Sequence, residues 1–406
     1  MSEVAESDGP ESEVPGMSFS ASYGTDHRSF ECYPPPHLAH VPMTQPHAVA
    51  SRWLVSARFD LGILLVPMVA SLVSLVTLYG RGADVPLWAY LLLIVAFDVA
   101  HVWATTLVTY FDREVLRSRR LLLFLPVPLF LGLTYRLHAH SPTLFWTLLA
   151  YVAIYHFIKQ QYGFIALYKA RAGEGERLDY YLDKWTLWAG ALGPVLIWHA
   201  SPARQFDWFN AGEFFIAEID PAFTGDIVAV MAVFAVVYVG RQVKLWSTGH
   251  FNVGKNLWMA CSWMSWSVGI GLADHPLVSA AFLNLFHGIP FIAIVWHRCN
   301  KRWQGTTGGP SPFVAWVSQR RRWLLFYLVA LVPAVFEETL WDGFVWQQYL
   351  PSLLSFEMPE LSPTALSVWV AVLSLPQIMH YFLDAWIWRL DGSNPDLHAA
   401  LDMKRG

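Results

Sequence analysis

Four histidines, His101, His156, His287 and His380, lie inside apolar segments that are each long enough to form a membrane-crossing helix. Ionisable side chains are costly in such segments, so we treat these residues as candidates for function. Each histidine lies 9 to 13 residues before the basic residue that ends its segment. With a rise of ~1.5 Å per residue, this spacing places the four imidazoles within about 6 Å of one depth. The sequence therefore predicts a single histidine layer inside the bilayer.

Carboxylates accompany two of these histidines at helical spacing. Asp98 lies three residues before His101, and Asp384 lies four residues after His380. Residues at these spacings share a helix face, so each carboxylate can be a further ligand or can orient the imidazole. Imidazole and oxygen ligands suit iron, zinc, copper or manganese. We predict a metal site built from the four histidines, Asp98 and Asp384; the alternative is that each histidine packs independently against its own neighbours.

Three further ionisable residues are candidate catalytic groups. Glu337 and Glu338 lie in the ninth apolar segment, and Glu337 is about 22 Å beyond Arg322 by helical rise. Either carboxylate is then near enough to the histidine layer to bind the metal or to relay protons; alternatively, the pair faces water near the end of the helix. Lys159 could carry protons near the metal, or its amine could reach the nearby membrane surface.

The doublet formed by Glu337 and Glu338 resembles the EExxxR box of intramembrane glutamate proteases of the CAAX-processing and bacteriocin-immunity type. His380 with Asp384 is similar to that family's HxxxN/D box. The resemblance implies a protease that uses these residues in catalysis. However, Asp342 stands where the arginine is expected, and no FxxxH box fits between residues 343 and 380. The protease is therefore kept as a minor alternative.

The composition of the chain predicts the elements that must position these residues. Of the 406 residues, 55% are apolar and 14% are charged, whereas soluble domains average about 25% charged residues. This excludes a soluble enzyme, and the net charge of −4 excludes a nucleic-acid partner. We predict an all-α, polytopic integral membrane helix bundle of about ten transmembrane helices. The predicted helices cover 59–79, 87–111, 121–137, 143–168, 181–199, 224–240, 256–273, 276–297, 323–342 and 364–388.

Basic residues predict the orientation of these helices. Apart from Arg28 and Lys159, the lysines and arginines collect on one side, and the opposite side holds only Arg81, Arg136 and Arg204. By the positive-inside rule, the basic side and both termini are cytoplasmic. We therefore predict a multi-pass protein of the cell membrane, as in a bacterial inner membrane.

The chain divides into three compositional regions. Residues 1–50 are acidic and then rich in proline, and they predict a disordered N-terminal tail. Because this tail lacks a basic segment followed by an apolar one, we do not interpret it as a signal peptide. Residues 51–390 form the transmembrane helical domain, and residues 391–406 form a cytoplasmic C-terminal tail.

The leading functional hypothesis is an oxygenase, desaturase or hydroxylase that uses non-haem iron. Its substrate would be lipid-soluble, such as a lipid, a fatty acyl chain or an isoprenoid or carotenoid, and an electron donor protein would be a further partner besides the lipid bilayer. Single histidines on several helices resemble, in plan, the membrane carotenoid-cleaving oxygenases, whereas the HxxxH and HxxHH clusters of membrane desaturases are missing.

Two alternatives come from other functional classes. A proton- or metal-coupled transporter would also place ionisable residues in its spans, but its polar residues should cross the full membrane depth. The apolar outer halves of the second, fourth and eighth helices favour an enzyme. A haem electron-transfer protein would place histidine pairs on facing helices, and four histidines at one depth favour one metal site over stacked haems.

Overall fold

The computed structural model describes residues 53–78, 86–201, 214, 219–273, 275–304, 311–351 and 360–403. All regular secondary structure in these residues is helical, which confirms the predicted all-α class. The predicted tail of residues 1–50 lies outside the described residues. Ten long helices lie at the predicted positions: α1 (Ala57–Leu78), α2 (Leu87–Leu107), α3 (Arg120–His140), α4 (Pro142–Ala172), α5 (Arg177–His199), α6 (Pro221–Ser247), α7 (Val253–Trp266, continued by Ser267–Leu272), α8 (Pro276–Arg302, extending to Gln304), α9 (Arg320–Trp346) and α10 (Pro363–Ile387).

Seven helices in the described part of the chain are long and apolar enough to cross a bilayer: α1, α2, α3, α6, α8, α9 and α10. The other three carry more polar side chains, such as Gln160 and Gln161 in α4, Asp183 in α5 and Lys255 in α7, all of them buried. The structure therefore supports a multi-pass membrane helix bundle. The count of ten spans and the cytoplasmic side of the termini stay predictions.

Capping residues determine where α4, the helix that carries His156, begins and ends. The hydroxyl of Ser141 accepts a hydrogen bond from the Leu144 amide at the start of α4. That helix ends at Gly173, whose φ of 71° lies in the left-handed region that favours glycine. Its 31 residues span about 46 Å by helical rise, which exceeds the ~30 Å of a hydrocarbon core. The helix α4 is therefore long enough to carry residues both inside the apolar layer and beyond it.

The helix α2 lies at the centre of the bundle, where it packs against α8, α9 and α10. Buried apolar side chains fill this region, among them Val99 of α2, Phe291 of α8, Ala330 of α9 and Ile387 of α10. By contrast, the side chains of α6 are mostly exposed. Because exposed apolar side chains on a helix of this length suit contact with lipid, we assign α6 to the periphery of the bundle.

The described residues of the predicted C-terminal tail fold back onto the end of the bundle. A short helix, Pro395–Ala400, buries Leu397 and Leu401 in the same cluster as Leu64 of α1. Arg298 Nε donates a hydrogen bond of 2.7 Å to Asp396 Oδ2. Burial alone would raise the pKa of Asp396, but the guanidinium of Arg298 holds it below its ordinary value. This ion pair anchors the tail to α8.

Candidate metal centre

The four predicted histidines meet at one point in the bundle. His101, His156, His287 and His380 come from α2, α4, α8 and α10, and each is at most 5% exposed. Their Nε2 atoms are 3.0 Å apart for His287 and His101, and 3.1 Å apart both for His101 and His380 and for His380 and His156. One ligand atom from each residue lies within 4.8 Å of the other three. The structure thus brings together all four residues that the sequence placed in one layer.

The four imidazoles form a closed ring. Neighbouring centroids lie 4.4 Å apart for His101 and His287, 5.0 Å for His287 and His156, 4.8 Å for His156 and His380, and 4.7 Å for His380 and His101. The planes of neighbouring rings are 73° to 90° apart. Edge-on contacts of this kind direct the Nε2 atoms towards the middle of the ring.

These spacings suit one metal ion better than hydrogen bonds among the histidines alone. The Nε2 atoms of His101 and His380 each contact two others, yet a ring nitrogen of neutral imidazole can only donate or only accept. Four nitrogens ~2.0–2.1 Å from one ion would lie about 2.8–3.4 Å from their neighbours, in a plane or a tetrahedron. The three observed separations of 3.0–3.1 Å fall in that range. The residues therefore fit a bound cation.

The outward-facing nitrogens of the histidines have unequal surroundings. His380 Nδ1 lies 2.7 Å from the hydroxyl of Thr105, one turn after His101 on α2. His101 Nδ1 lies 3.6 Å from Asp98 Oδ1, which has no hydrogen-bond partner among the described residues. His287 Nδ1 also has none there. Thr105 therefore fixes which nitrogen of His380 faces the centre, and sequence analysis missed it because threonine is common in apolar helices.

The two predicted carboxylate partners lie in different environments. Asp98 is next to His101, as the helical spacing predicts, but 3.6 Å is too long for a hydrogen bond. Asp384 accepts a hydrogen bond of 2.6 Å from Nε1 of Trp388, the residue directly after the end of α10. The group of side chains close enough to share one ion contains, among the described residues, the four histidines alone. A ligand role for either carboxylate stays a prediction.

Two segments of π-helix lead into the centre. One, Leu91–Val99, ends two residues before His101, and the other, Ala281–Leu285, ends two residues before His287. Such segments are frequent at functional sites because they redirect side chains. Gly288 lets the two helices touch there, since a Cβ at this position would lie 2.2 Å from the carbonyl oxygen of Phe97. The local backbone thus places two of the four histidines.

The predicted catalytic residues lie apart from the ring. Glu337 accepts a hydrogen bond of 2.6 Å from Trp103 Nε1, and Glu338 is bonded to the Tyr90 hydroxyl. Lys159 is partly exposed on α4. These contacts place the two glutamates between α9 and α2, and catalytic roles for all three residues stay predictions.

The position that would hold arginine in an EExxxR box has a structural role here. The carboxylate of Asp342 accepts hydrogen bonds from the backbone amides of Gln348, Tyr349 and Leu350, at 2.8, 3.1 and 2.5 Å. It thereby caps a turn in which Gln347 has a left-handed φ of 51°. A capping aspartate explains why this position departs from the protease pattern.

Aromatic side chains on the two sides of the ring were also missed by sequence analysis. Phe291, four residues after His287, lies with its centroid 5.4 Å from His101 and 5.2 Å from His380. Tyr381 packs against His156 with centroids 4.3 Å apart. Phe291 follows His287 by one helical turn, and Tyr381 directly follows His380. Aromatic residues are too frequent in this chain for such spacing to single them out.

Three further buried or half-buried histidines have partners away from the ring. His138 Nδ1 lies 2.9 Å from the Ser367 hydroxyl, and His199 Nε2 lies 2.6 Å from the Tyr151 hydroxyl. His297 is bonded to the backbone oxygen of Ala400. These histidines tie neighbouring segments together.

Comparison with protein-family models, curated proteins and solved structures finds no match to this chain. The functional interpretation therefore depends on the four-histidine ring alone.

Proposed function

We propose that this protein is an integral membrane metalloenzyme that holds one ion between His101, His156, His287 and His380. The observation that carries this proposal is the set of Nε2 contacts of 3.0–3.1 Å among four buried imidazoles from four helices. In the same proposal all ten long helices cross the membrane, a bacterial inner membrane, with both termini in the cytoplasm. The excess of basic residues on one side supports this orientation.

The reaction we propose is the oxidation of a lipid-soluble substrate with non-haem iron. When bound, iron would supply electrons for the activation of dioxygen, and imidazole ligands suit it. Thr105 orients His380, and Phe291 keeps water from the face of the ring that it covers. The ligand-bearing helices expose apolar side chains at their outer surfaces, such as Leu91, Tyr155 and Val372. A substrate that arrives from the bilayer must therefore be lipid-soluble. An electron donor protein would return the iron to its reduced state.

A transporter is the second candidate, because Glu337, Glu338 and Asp98 extend the polar groups from the ring towards one membrane surface. On the other side of the ring, Phe291 and Trp388 meet edge-on with centroids 5.7 Å apart. Since two aromatic rings interrupt the polar groups on that side, the arrangement favours a closed enzyme site over a path across the membrane.

The geometry gives less support to haem and to proteolysis. The two axial imidazoles of a haem face each other across the macrocycle. Here, for any pair of the histidines, the other two occupy the space in which the macrocycle would lie, so a porphyrin has no room. Proteolysis would need the glutamates to activate water, but Glu337 and Glu338 are engaged by Trp103 and Tyr90.

Metal analysis of the purified protein in lipid nanodiscs tests the proposal. We expect about one iron per chain in the wild type and a loss of bound metal in His156→Ala. His138→Ala is the matched control, because His138 is a buried histidine bonded to Ser367 and distant from the ring; it should keep its metal. A wild-type protein that unfolds cooperatively but binds no iron, zinc, copper or manganese would overturn the metal centre.

A further inference from the structure

The two sides of the imidazole ring differ in chemistry. Phe291 follows His287 by one turn on α8, and Trp388 lies directly after the end of α10, both towards the arginine-rich ends of these helices. Asp98 and Gln377 precede the histidines on the opposite side, and the Tyr381 hydroxyl is bonded to Gln377. We call the first side the inner face and the second the outer face.

Polar side chains one turn after the other three histidines are already engaged: Thr105 with His380, the amide N–H of Gln160 with the carbonyl oxygen of His287, and Asp384 with Trp388. A ligand of the metal would therefore meet aromatic rings on the inner face and polar groups on the outer face.

The inner face is closed by packing. The side chain of Phe291 is fully buried, and its ring meets those of His101 and His380 edge-on, at 74° and 83°. Trp388 lies behind it, and the indole N–H is already engaged by Asp384 at 2.6 Å. Neither aromatic ring offers a hydrogen-bond donor to a ligand at the centre.

The outer face contains a positioned hydroxyl. The ring of Tyr381 packs on His156 at 33° and lies 5.8 Å from His380, so it follows the edge of the four-histidine ring. The amide of Gln377, one turn earlier on α10, donates a hydrogen bond of 2.5 Å to the Tyr381 oxygen. Because the amide fills an acceptor position, the phenol can use its own hydrogen as a donor. Gln377 thereby holds the hydroxyl in place.

We propose that the metal takes a small exogenous ligand, a diatomic molecule or an anion, on the outer face, where the Tyr381 hydroxyl donates a hydrogen bond to it. This inference rests on the metal centre proposed above and names the position at which that centre binds its co-substrate. Tyr381 is then a ligand-binding residue, and Gln377 is a positioning residue that acts through it. Phe291 determines the face by closing the other one.

Azide binding to the cobalt-loaded protein in nanodiscs tests this inference without any turnover. Co²⁺ reports its ligands through visible absorption bands, and azide is the anionic probe. We expect azide to shift these bands and to bind roughly tenfold more weakly to Tyr381→Phe, the effect of one lost hydrogen bond to an anion. Tyr110→Phe is the matched control, because Tyr110 donates to the backbone oxygen of Leu123 away from the ring; its azide affinity should match that of the wild type.

The outcomes separate the two proposals. If a folded wild-type protein takes up no cobalt, the metal centre itself is wrong. If cobalt binds stoichiometrically but Tyr381→Phe keeps the wild-type azide affinity, the centre stands and the outer-face inference is wrong. The outer-face inference is also wrong if azide leaves the spectrum unchanged, or if Phe291→Leu and not Tyr381→Phe alters the affinity. Cobalt content measured for every variant shows that its site is still formed.

Discussion

The helix α4 contributes to two buried groups of polar side chains, and they are built in opposite ways. One is the four-histidine ring around His156. The other surrounds Lys169, thirteen residues further along, where Asp183 binds both Lys169 and Lys255, and Lys255 also binds Glu174 at 2.7 Å. We call this second group the charge cluster. It pairs cations with anions, whereas the ring brings together four side chains of the same kind.

This difference favours a structural role for the charge cluster and the proposed metal-binding role for the ring. In the charge cluster, each ammonium has a carboxylate partner, and Asn252 donates a further hydrogen bond of 2.7 Å to Glu174. The two ammonium groups and two carboxylates of this group balance in charge without any addition, and they join α4, α5 and α7. In the ring, equivalent nitrogens compete for the same hydrogens, and Nδ1 of His287 lies buried without a partner among the described residues. A cation, as proposed above, would accept one lone pair from each of the four histidines.

The largest expected effect comes from breaking the charge cluster. Asp183→Asn would leave Lys169 and Lys255 buried with one carboxylate between them, and we expect it to lower the free energy of unfolding by about 3–5 kcal/mol. Asp226→Asn, at an exposed position on α6, should change stability by less than ~0.5 kcal/mol. Reversible unfolding in detergent measures both. An unchanged free energy of unfolding in Asp183→Asn would show that the charge cluster does not hold the bundle together.

An intermediate effect is expected where two ligand-bearing helices touch. Gly288→Ala would place a methyl group against the Phe97 carbonyl, so α2 and α8 must separate beside His101 and His287. We expect a loss of about 1–3 kcal/mol in stability together with weaker metal binding. Gly132→Ala is the control, because nothing lies within 4 Å of its added Cβ. Calorimetric titration measures the metal affinity of both variants, and equal affinities would contradict the prediction.

The smallest effect should come from the Thr105 hydroxyl. Thr105→Val keeps the shape of the side chain but removes the partner of His380 Nδ1, and we expect roughly tenfold weaker metal binding. Thr105→Ser keeps the hydroxyl but lacks the methyl group, and it should keep most of the metal affinity. If Thr105 acted only through the packing of its methyl group, the serine variant would lose affinity instead. Competition with a chelator gives the affinities. Equal values for the valine and serine variants would show that the bond does not orient His380.

The ring was predictable from sequence because ionisable residues in apolar spans are rare and helical rise fixes their depth. His101, His156, His287 and His380 could therefore be assigned to one layer before their neighbours were known. Helical spacing placed Asp384 on the same face as His380 but did not show that Trp388, directly after the end of α10, binds its carboxylate. Periodicity shows which residues share a face, but not which of them bond to each other.

The rest of the site depends on which helices are neighbours. Thr105 reaches His380 only because α2 packs against α10, and Asp183 meets Lys255 only because α5 packs against α7. The apolar segments of a membrane bundle resemble one another, so their sequences do not reveal their neighbours. The π-helical segments before His101 and His287 were missed for a related reason, since they form where two particular helices touch.

The placement of one ligand on each of four helices has a consequence for biosynthesis. His380 is synthesised 279 residues after His101. No chain that stops before α10 can assemble the ring, so an ion held by all four histidines would be captured only after α10 has formed. A product truncated before α10 would then lack the site, whatever the supply of metal.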